Sequence, residues 1–292
     1  MEHNMSYIYL ISCVFMSASS SVFGKIFTRN NDARKDATVF YNFLMAVSTF
    51  LGWGILYSFD FSFNASVLWY SALFGLCYTV YLVGSINALK HGSAALTSLF
   101  VALSLILTTI WGFIFWGADI TPLVIIGVIL VVCSIVLCLH TEEKDETKIS
   151  LRWLIYVILA CLGNAGTAIV QRTQQVQYEG QHGNMLMMFA TGFSALAYLA
   201  LYLKSDRRDT PKMVKTSWWI PTCAGVCNLL LNVFVMLMAV TDLSPSLIYP
   251  TIGVGGLAVV TVFSLVFFKE KMNRWQWLGV AIGAVAVVLL SV

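Results

Sequence analysis

Charge is what this sequence has least of. Lys, Arg, Asp and Glu make up 11% of its 292 residues, while 59% are hydrophobic. A soluble domain carries about 25% charged residues, so this chain cannot build a water-facing surface of ordinary size. Its mean hydropathy of +0.82 places it among polytopic membrane proteins. Long polar connections are missing too. The longest are NNDARKD, HTEEKDETK and KSDRRDTPK, and none holds a soluble domain. No basic n-region precedes the first apolar run, MEHNMSYIYL, so a cleavable signal peptide is not expected and that run reads as a membrane helix. The ten-residue alternation of a membrane β-barrel is absent as well.

The residues that perform chemistry are equally sparse at depth. The seven cysteines all fall inside apolar runs, where they read as small packing residues rather than as a disulfide framework. Cys223 and Cys227 share a helical face, but no His or acidic residue joins them to make a metal site. The four histidines, His3, His91, His140 and His182, sit at span ends or termini. None of the fourteen carboxylates lies mid-span. A central Asp costs about 2.5–3.5 kcal/mol in a bilayer, so its absence removes an obvious proton relay; exchange, facilitated flux or coupling through an end-of-helix group stay open. An intramembrane enzyme would need a buried Asp pair, a His–Glu metal motif or a Ser–His/Lys dyad, and no such set stands at mid-depth. Nothing resembles a channel filter or charged ring. A sensor or assembly subunit would be signalled by large loops, which are missing. No cofactor or metal is expected.

What is present is a series of apolar segments. A helix crossing about 30 Å of hydrocarbon needs about 20 residues. Ten stretches qualify: 6–26, 38–58, 67–89, 93–116, 121–139, 151–171, 184–203, 218–240, 244–268 and 274–291. Aromatics such as Trp53, Trp69, Trp153, Trp218 and Trp275 flank them, as interfacial residues do. Sixteen of the seventeen Lys and Arg residues fall in the odd-to-even connections, and Arg172 alone falls on the other side. The positive-inside rule then puts the basic loops in the cytoplasm and both termini outside.

The two halves repeat. GLCYTVYLV (75–83) resembles GVCNLLLNV (225–233), GSAALTSL (92–99) lies on LSPSLIYP (243–250), and Asp119 matches Glu270. IIGVIL (125–130) matches WLGVAI (277–282), and SSSVFGKIF (19–27) matches GTAIVQRTQ (166–174). Five helices per copy is an odd number, so the second copy enters the membrane upside down. The expected fold is an all-α integral membrane protein of ten transmembrane helices in two inverted five-helix repeats, 1–140 and 151–292, joined by a polar linker at 141–150.

At these residues the chain resembles the drug/metabolite transporter superfamily, EamA type. The match is most specific in the last 55 residues: Pro250 within a span, Glu270 closing span nine, then Gln276, Gly279 and Gly283. The first half carries a weaker copy, with Leu99 where Pro is usual, Asp119 for the Glu, and Gly127. The resemblance implies ten helices around a central cavity, a bacterial-type plasma (inner) membrane, and efflux or exchange of small metabolites. Many relatives carry cytoplasmic termini, whereas the charges here argue for external ones.

Candidate site residues follow from polarity at depth. Asn228 and Asn232 share a face of span eight, and Tyr78 is the repeat counterpart of Asn228. Asn42, Asn87, Asn164, Ser98 and Tyr249 are the other mid-depth candidates, since an amide facing lipid would be unsatisfied; the competing reading is interhelical glue worth about 0.6 kcal/mol each. Pro250 frees a backbone carbonyl and Gly253, Gly255 and Gly256 admit a neighbouring helix, so this stretch is expected to line the cavity and bend. Arg172 and its repeat mate Lys25 are read either as cationic gates meeting an anionic group or as side chains snorkelling to the interface. The SASSS run at 17–21 offers a small face for packing or cavity lining. The expected partners are a small-molecule substrate and the lipid bilayer, with no nucleic acid; a homodimer is left open.

Overall fold

The computed structural model describes residues 2–34, 36–115, 121–140, 150–238 and 245–291. They form twelve α-helices: Glu2–Asn30 (α1), Ala37–Phe59 (α2), Val67–His91 (α3), Ala94–Leu103 (α4), Leu105–Phe115 (α5), Pro122–Leu139 (α6), Leu151–Gln177 (α7), Gly183–Lys204 (α8), Thr210–Ser217 (α9), Trp219–Met238 (α10), Pro245–Val266 (α11) and Arg274–Ser291 (α12). Eight segments are long and apolar enough to cross a membrane, with α4 and α5 together making one, Ala94–Phe115. Two shorter apolar helical stretches, Thr251–Val266 and Arg274–Leu290, lie in α11 and α12.

Local sequence sets where these helices begin. Ser93, Thr121 and Ser150 are N-caps whose hydroxyls accept from the N–H groups of Leu96, Val124 and Trp153, each worth about 1 kcal/mol. Pro122 follows its cap at the first helical position, where its missing N–H costs nothing. Ahead of α12, Asn273 Oδ1 accepts from Gln276 N at 2.7 Å while Gln276 Oε1 accepts from Asn273 N at 3.1 Å. This reciprocal pair acts as a capping box and gives Gln276 a structural task.

The apolar residues divide into an inner and an outer set. Ile8, Ile11, Leu51, Ile55, Leu76, Ile114, Val136 and Leu196 are exposed, as side chains facing hydrocarbon must be. Inside, α3 packs on α7, α1 on α10, α2 on α8 and α6 on α12. The α3–α7 contact is backbone on backbone: a Cβ at Gly84 would stand 2.7 Å from Tyr156 O, and one at Gly163 would stand 2.7 Å from Cys77 O. No side chain fits at either position.

Contacts between connections sort the helix termini into two ends. At one end Lys90 bonds Asp32 O, Arg34 bonds Thr216, Asp206 N bonds Asp36 and Asn273 bonds His140 O. The described odd-to-even connections meet here, carrying Arg29, Arg34, Lys90, Lys204 and Arg207; we call it the basic end. At the opposite end Asn184 bonds Asp60, His182 meets Ser62 and Tyr70 donates to Gln177.

One helix is interrupted where the sequence carries neither Pro nor Gly. The fourth apolar segment stops at Leu103 and restarts at Leu105. Ser104 stands at the break, donating to Val101 O at 2.6 Å and accepting from Asn164 Nδ2 at 2.8 Å. By contrast α11 continues through Pro250 as one helix. Pro250 is only the sixth residue of α11, so it deletes a bond one turn from the start, where the helix loses least.

Candidate functional site

A cavity of about 350 Å³ lies among α1, α3, α4, α5, α7, α10, α11 and α12. Hydroxyls dominate its polar wall. Ser17, Ser20 and Ser21 of α1 face Thr97, Ser98 and Ser104 of the broken helix. Tyr81 and Ser85 come from α3, and the amides Asn164 and Asn228 from α7 and α10. Another part of the lining is apolar: Ile252, Leu257 and Val260 of α11 with Val287 of α12. Among the described residues no charged side chain lines it. The arrangement suits a small, partly polar molecule held by hydrogen bonds along part of its surface and by hydrocarbon along the rest.

Toward the basic end the cavity has a floor. Ser98 Oγ and Ser21 Oγ are 3.0 Å apart, linking α4 to α1. One turn further along α1, Lys25 Nζ meets Glu270 Oε1 at 2.8 Å, with only 16% and 13% of the two side chains exposed. Lys25 also donates to Leu89 O at 3.1 Å and Gly92 O at 2.5 Å. Glu270 Oε2 accepts from Ser93 Oγ at 2.8 Å, Ala94 N at 2.9 Å and the Ser264 hydroxyl. The carboxylate thus caps the N-terminus of α4, where the helix dipole favours negative charge. It reaches that point because Lys269 adopts a left-handed conformation, φ 53°, turning the chain after α11 so that Glu270 N bonds back to Ser264 O at 3.0 Å. Trp153 closes the layer beside it. Its indole donates to Thr97 at 3.0 Å, and its ring lies on Gly92, where a Cβ would meet it. Four helices, α1, α3, α4 and α11, are locked together by this one pair.

The residues expected from the sequence separate into groups. Asn228, Asn164, Ser98, Gly253 and Gly256 line the cavity. Tyr78 stands behind the wall, buried, its hydroxyl donating to Asn228 Oδ1 at 3.4 Å. Asn232 also stands behind it, donating to Asn228 O at 2.8 Å. Asn87 donates back to Val83 O of its own helix at 2.8 Å. Asn42 lies in a small side pocket with Tyr41. Gly255 and Gly256 bring α11 against α1, since a Cβ at Gly255 would be 2.9 Å from Val14 and one at Gly256 would strike Ser17. Arg172 is exposed on α7, five residues before its end. The side chains of Tyr249 and Pro250, and all of Asp119, lie outside the described residues. Lys25 does not snorkel: it is bound inside the bundle to Glu270.

Sequence reasoning missed three things. Tyr81 and Ser85 one turn apart on α3 were legible as a polar face. The break at Ser104 had no local signal, because a tertiary bond from Asn164 stands at it. The pairing of Lys25 with Glu270 joins opposite halves of the chain, and only the fold brings them together. Gly279 and Gly283 prove to be packing positions: Ser134 donates to Gly279 O at 2.7 Å, and a Cβ at Gly283 would be 2.7 Å from Ser134 Oγ.

Comparison with known proteins gives a family. The sequence profile of the EamA-like transporter family matches residues 4–139 and 151–292. The chain therefore belongs to that family, whose members are transporters of the drug/metabolite type, and it is a multi-pass integral membrane protein. A search of curated protein sequences finds no match. A protein of known crystal structure shares the fold, with a TM-score of 0.55 over 95% of this chain and 96% of that one, at 13% identity.

Proposed function

We propose that this member of the EamA-like transporter family is a secondary carrier that moves small organic metabolites, amino acids or related compounds foremost, by alternating access. The observation that carries the reading is a central cavity with the buried Lys25–Glu270 pair standing beyond it toward the basic end. A carrier needs a site that faces one side at a time, and a buried pair joining four helices is a gate that opens or closes as a unit.

The ten apolar segments, with the broken helix counted as one, form two inverted five-helix repeats, 1–140 and 151–292. Helix pairing supports this. Exchanging α1 with α7, α2 with α8, α3 with α10, α4 and α5 with α11, and α6 with α12 turns the α3–α7 contact into α10–α1 and α3–α8 into α10–α2, while α2–α8 and α6–α12 map onto themselves; every one of these contacts is present. A pseudo-two-fold axis in the membrane plane produces that pattern. The basic end faces the cytoplasm and both termini lie outside. Asn228, Asn164 and Ser98 bind substrate directly, Tyr78 orients the Asn228 amide, Asn232 holds only the Asn228 main-chain carbonyl, and Gly253 and Gly256 let α11 form the apolar wall.

Cells expressing the protein or its Asn228→Leu variant at matched abundance test this, with cell and medium contents profiled by mass spectrometry. The reading predicts a metabolite displaced across the membrane by the parent and not by the variant. Displacement by neither counts against transport, and displacement by both removes Asn228 from the site. Alkaline phosphatase and green fluorescent protein fused to the C-terminus test orientation, for which the expected result is phosphatase activity without fluorescence.

A further inference from the structure

Beside the cavity is a second, smaller void that general reasoning about packing leaves unexplained. It measures about 10 Å³ and is lined by Ser20, Tyr41, Asn42, Tyr81 and Ser85. That is room for one group the size of a water molecule. Ser20, Tyr81 and Ser85 also line the main cavity, so the void is a recess off it. Two of its lining residues carry a polar atom that is buried without a hydrogen-bond partner, the Tyr41 hydroxyl and Asn42 Oδ1; both residues are 2% exposed. Leaving such atoms unpaired costs about 1–3 kcal/mol apiece.

Neither side chain is free to turn away. The Asn42 amide donates through Nδ2 to Tyr198 Oη at 3.2 Å, and Tyr198 donates onward to Thr79 O at 2.8 Å. This chain fixes the amide with its oxygen as the open acceptor. The Tyr41 ring packs on Phe27, with centroids 5.0 Å apart. The recess therefore presents one acceptor and one hydroxyl, both preorganised. An ammonium could donate to Asn42 Oδ1 and to the Tyr41 oxygen, but its charge would be unbalanced, since Glu270 is paired with Lys25. A carboxylate would accept from Tyr41 and be repelled by Asn42 Oδ1. Nothing near it balances a charge either, since Lys25 is committed to Glu270 and to two carbonyls. A hydroxyl both accepts and donates, fits the volume and is neutral.

We propose that the Tyr41–Asn42 recess is the subsite of the cavity that receives a hydroxyl group of the transported molecule. The assignment rests on the transport reading and deepens it: selectivity among metabolites is set by whether a hydroxyl reaches this recess while the rest of the molecule lies in the main cavity.

The test uses purified full-length protein in proteoliposomes and pairs of solutes that differ by a hydroxyl: threonine against valine, adenosine against its deoxy analogue, and glycerol against propane-1,2-diol. Uptake is measured for the parent, Tyr41→Phe and Asn42→Leu, and thermal unfolding midpoints are recorded with and without each solute. The expected result is about a tenfold preference for the hydroxylated member of at least one pair, lost in both variants while uptake of its partner persists. Equal uptake of both members by the parent, or preference retained in the variants, overturns the subsite and leaves transport standing. If no solute is taken up, the midpoints decide. A rise given by a hydroxylated solute to the parent and not to the variants keeps the subsite and counts against transport alone. No rise with any solute overturns both. Tyr41→Phe removes a single oxygen, so its midpoint without solute shows whether loss of folding confuses the comparison.

Discussion

Replacing Glu270 by Gln removes one charge from the floor of the cavity and little else. The amide oxygen of Gln can still accept from Ser93 and Ala94 N, but its NH2 group faces Lys25 with no charge to offer. Breaking a buried pair by neutralising one partner costs about 3–5 kcal/mol. Here 16% and 13% of the two side chains remain exposed, and solvent screening brings the penalty to about 2–3 kcal/mol. The penalty falls on the conformer in which the basic end is shut, because an opened end hydrates Lys25. With each 1.4 kcal/mol worth a factor of ten, the open population rises roughly 30- to 140-fold. The assay is labelling of a cysteine at Ser98, on the floor, in a background in which the native cysteines are replaced. A membrane-impermeant thiol reagent is added at the basic end, in inside-out vesicles. Glu270→Gln and Lys25→Met should each raise the labelling rate by that factor. The double variant Lys25→Met/Glu270→Gln leaves neither charge stranded and should return most of the way to the parent. Unchanged labelling in both single variants, or effects that add in the double, would refute the reasoning.

Three further outcomes follow from the same geometry. Gly84→Leu and Gly163→Leu each place a side chain against the facing backbone of the α3–α7 contact and should abolish recovery of folded protein, read as loss of the monodisperse peak in detergent size-exclusion chromatography. Asn232→Leu removes only a bond to Asn228 O, so it should retain transport that Asn228→Leu abolishes; equal loss in both would place Asn232 in the cavity. Trp153→Phe keeps the ring over Gly92 and deletes the hydrogen bond to Thr97, for an expected loss of about 1 kcal/mol in stability, measured as a lowered thermal midpoint.

The helices were legible because lipid imposes a simple rule on sequence. Every spanning segment must be apolar over about 20 residues, and each such run is helical among the described residues, the fourth as two helices, with outer ends within about two turns of those expected. Residues whose roles depend on distant partners were less legible. Asn164 and Ser98 read as polar residues within their spans and line the cavity, but Asn87, an amide late in the third span, bonds within its own helix. Sequence polarity states that a partner is needed and not where it is. Pro250 drew attention as a breaker, yet the interrupted helix is the one holding Ser104, whose break carries no breaker residue. Lys25 and Glu270 each sat at a helix end, where interfacial charges are ordinary, and nothing short of the fold distinguishes a snorkelling lysine from one buried against a carboxylate.

The most direct test of the central claim is solute exit from proteoliposomes containing the purified protein. Vesicles are preloaded with a mixture of amino acids, nucleosides and sugars, and the external solution is followed by mass spectrometry for the parent and for Gly253→Leu, which puts a side chain on the cavity wall where an added Cβ meets only Val287, at 3.3 Å. The account predicts that a subset of solutes leaves faster than from protein-free vesicles and that Gly253→Leu, folded to the same midpoint, stops it. Exit no faster than from protein-free vesicles, or exit unaffected by filling the cavity, would contradict it.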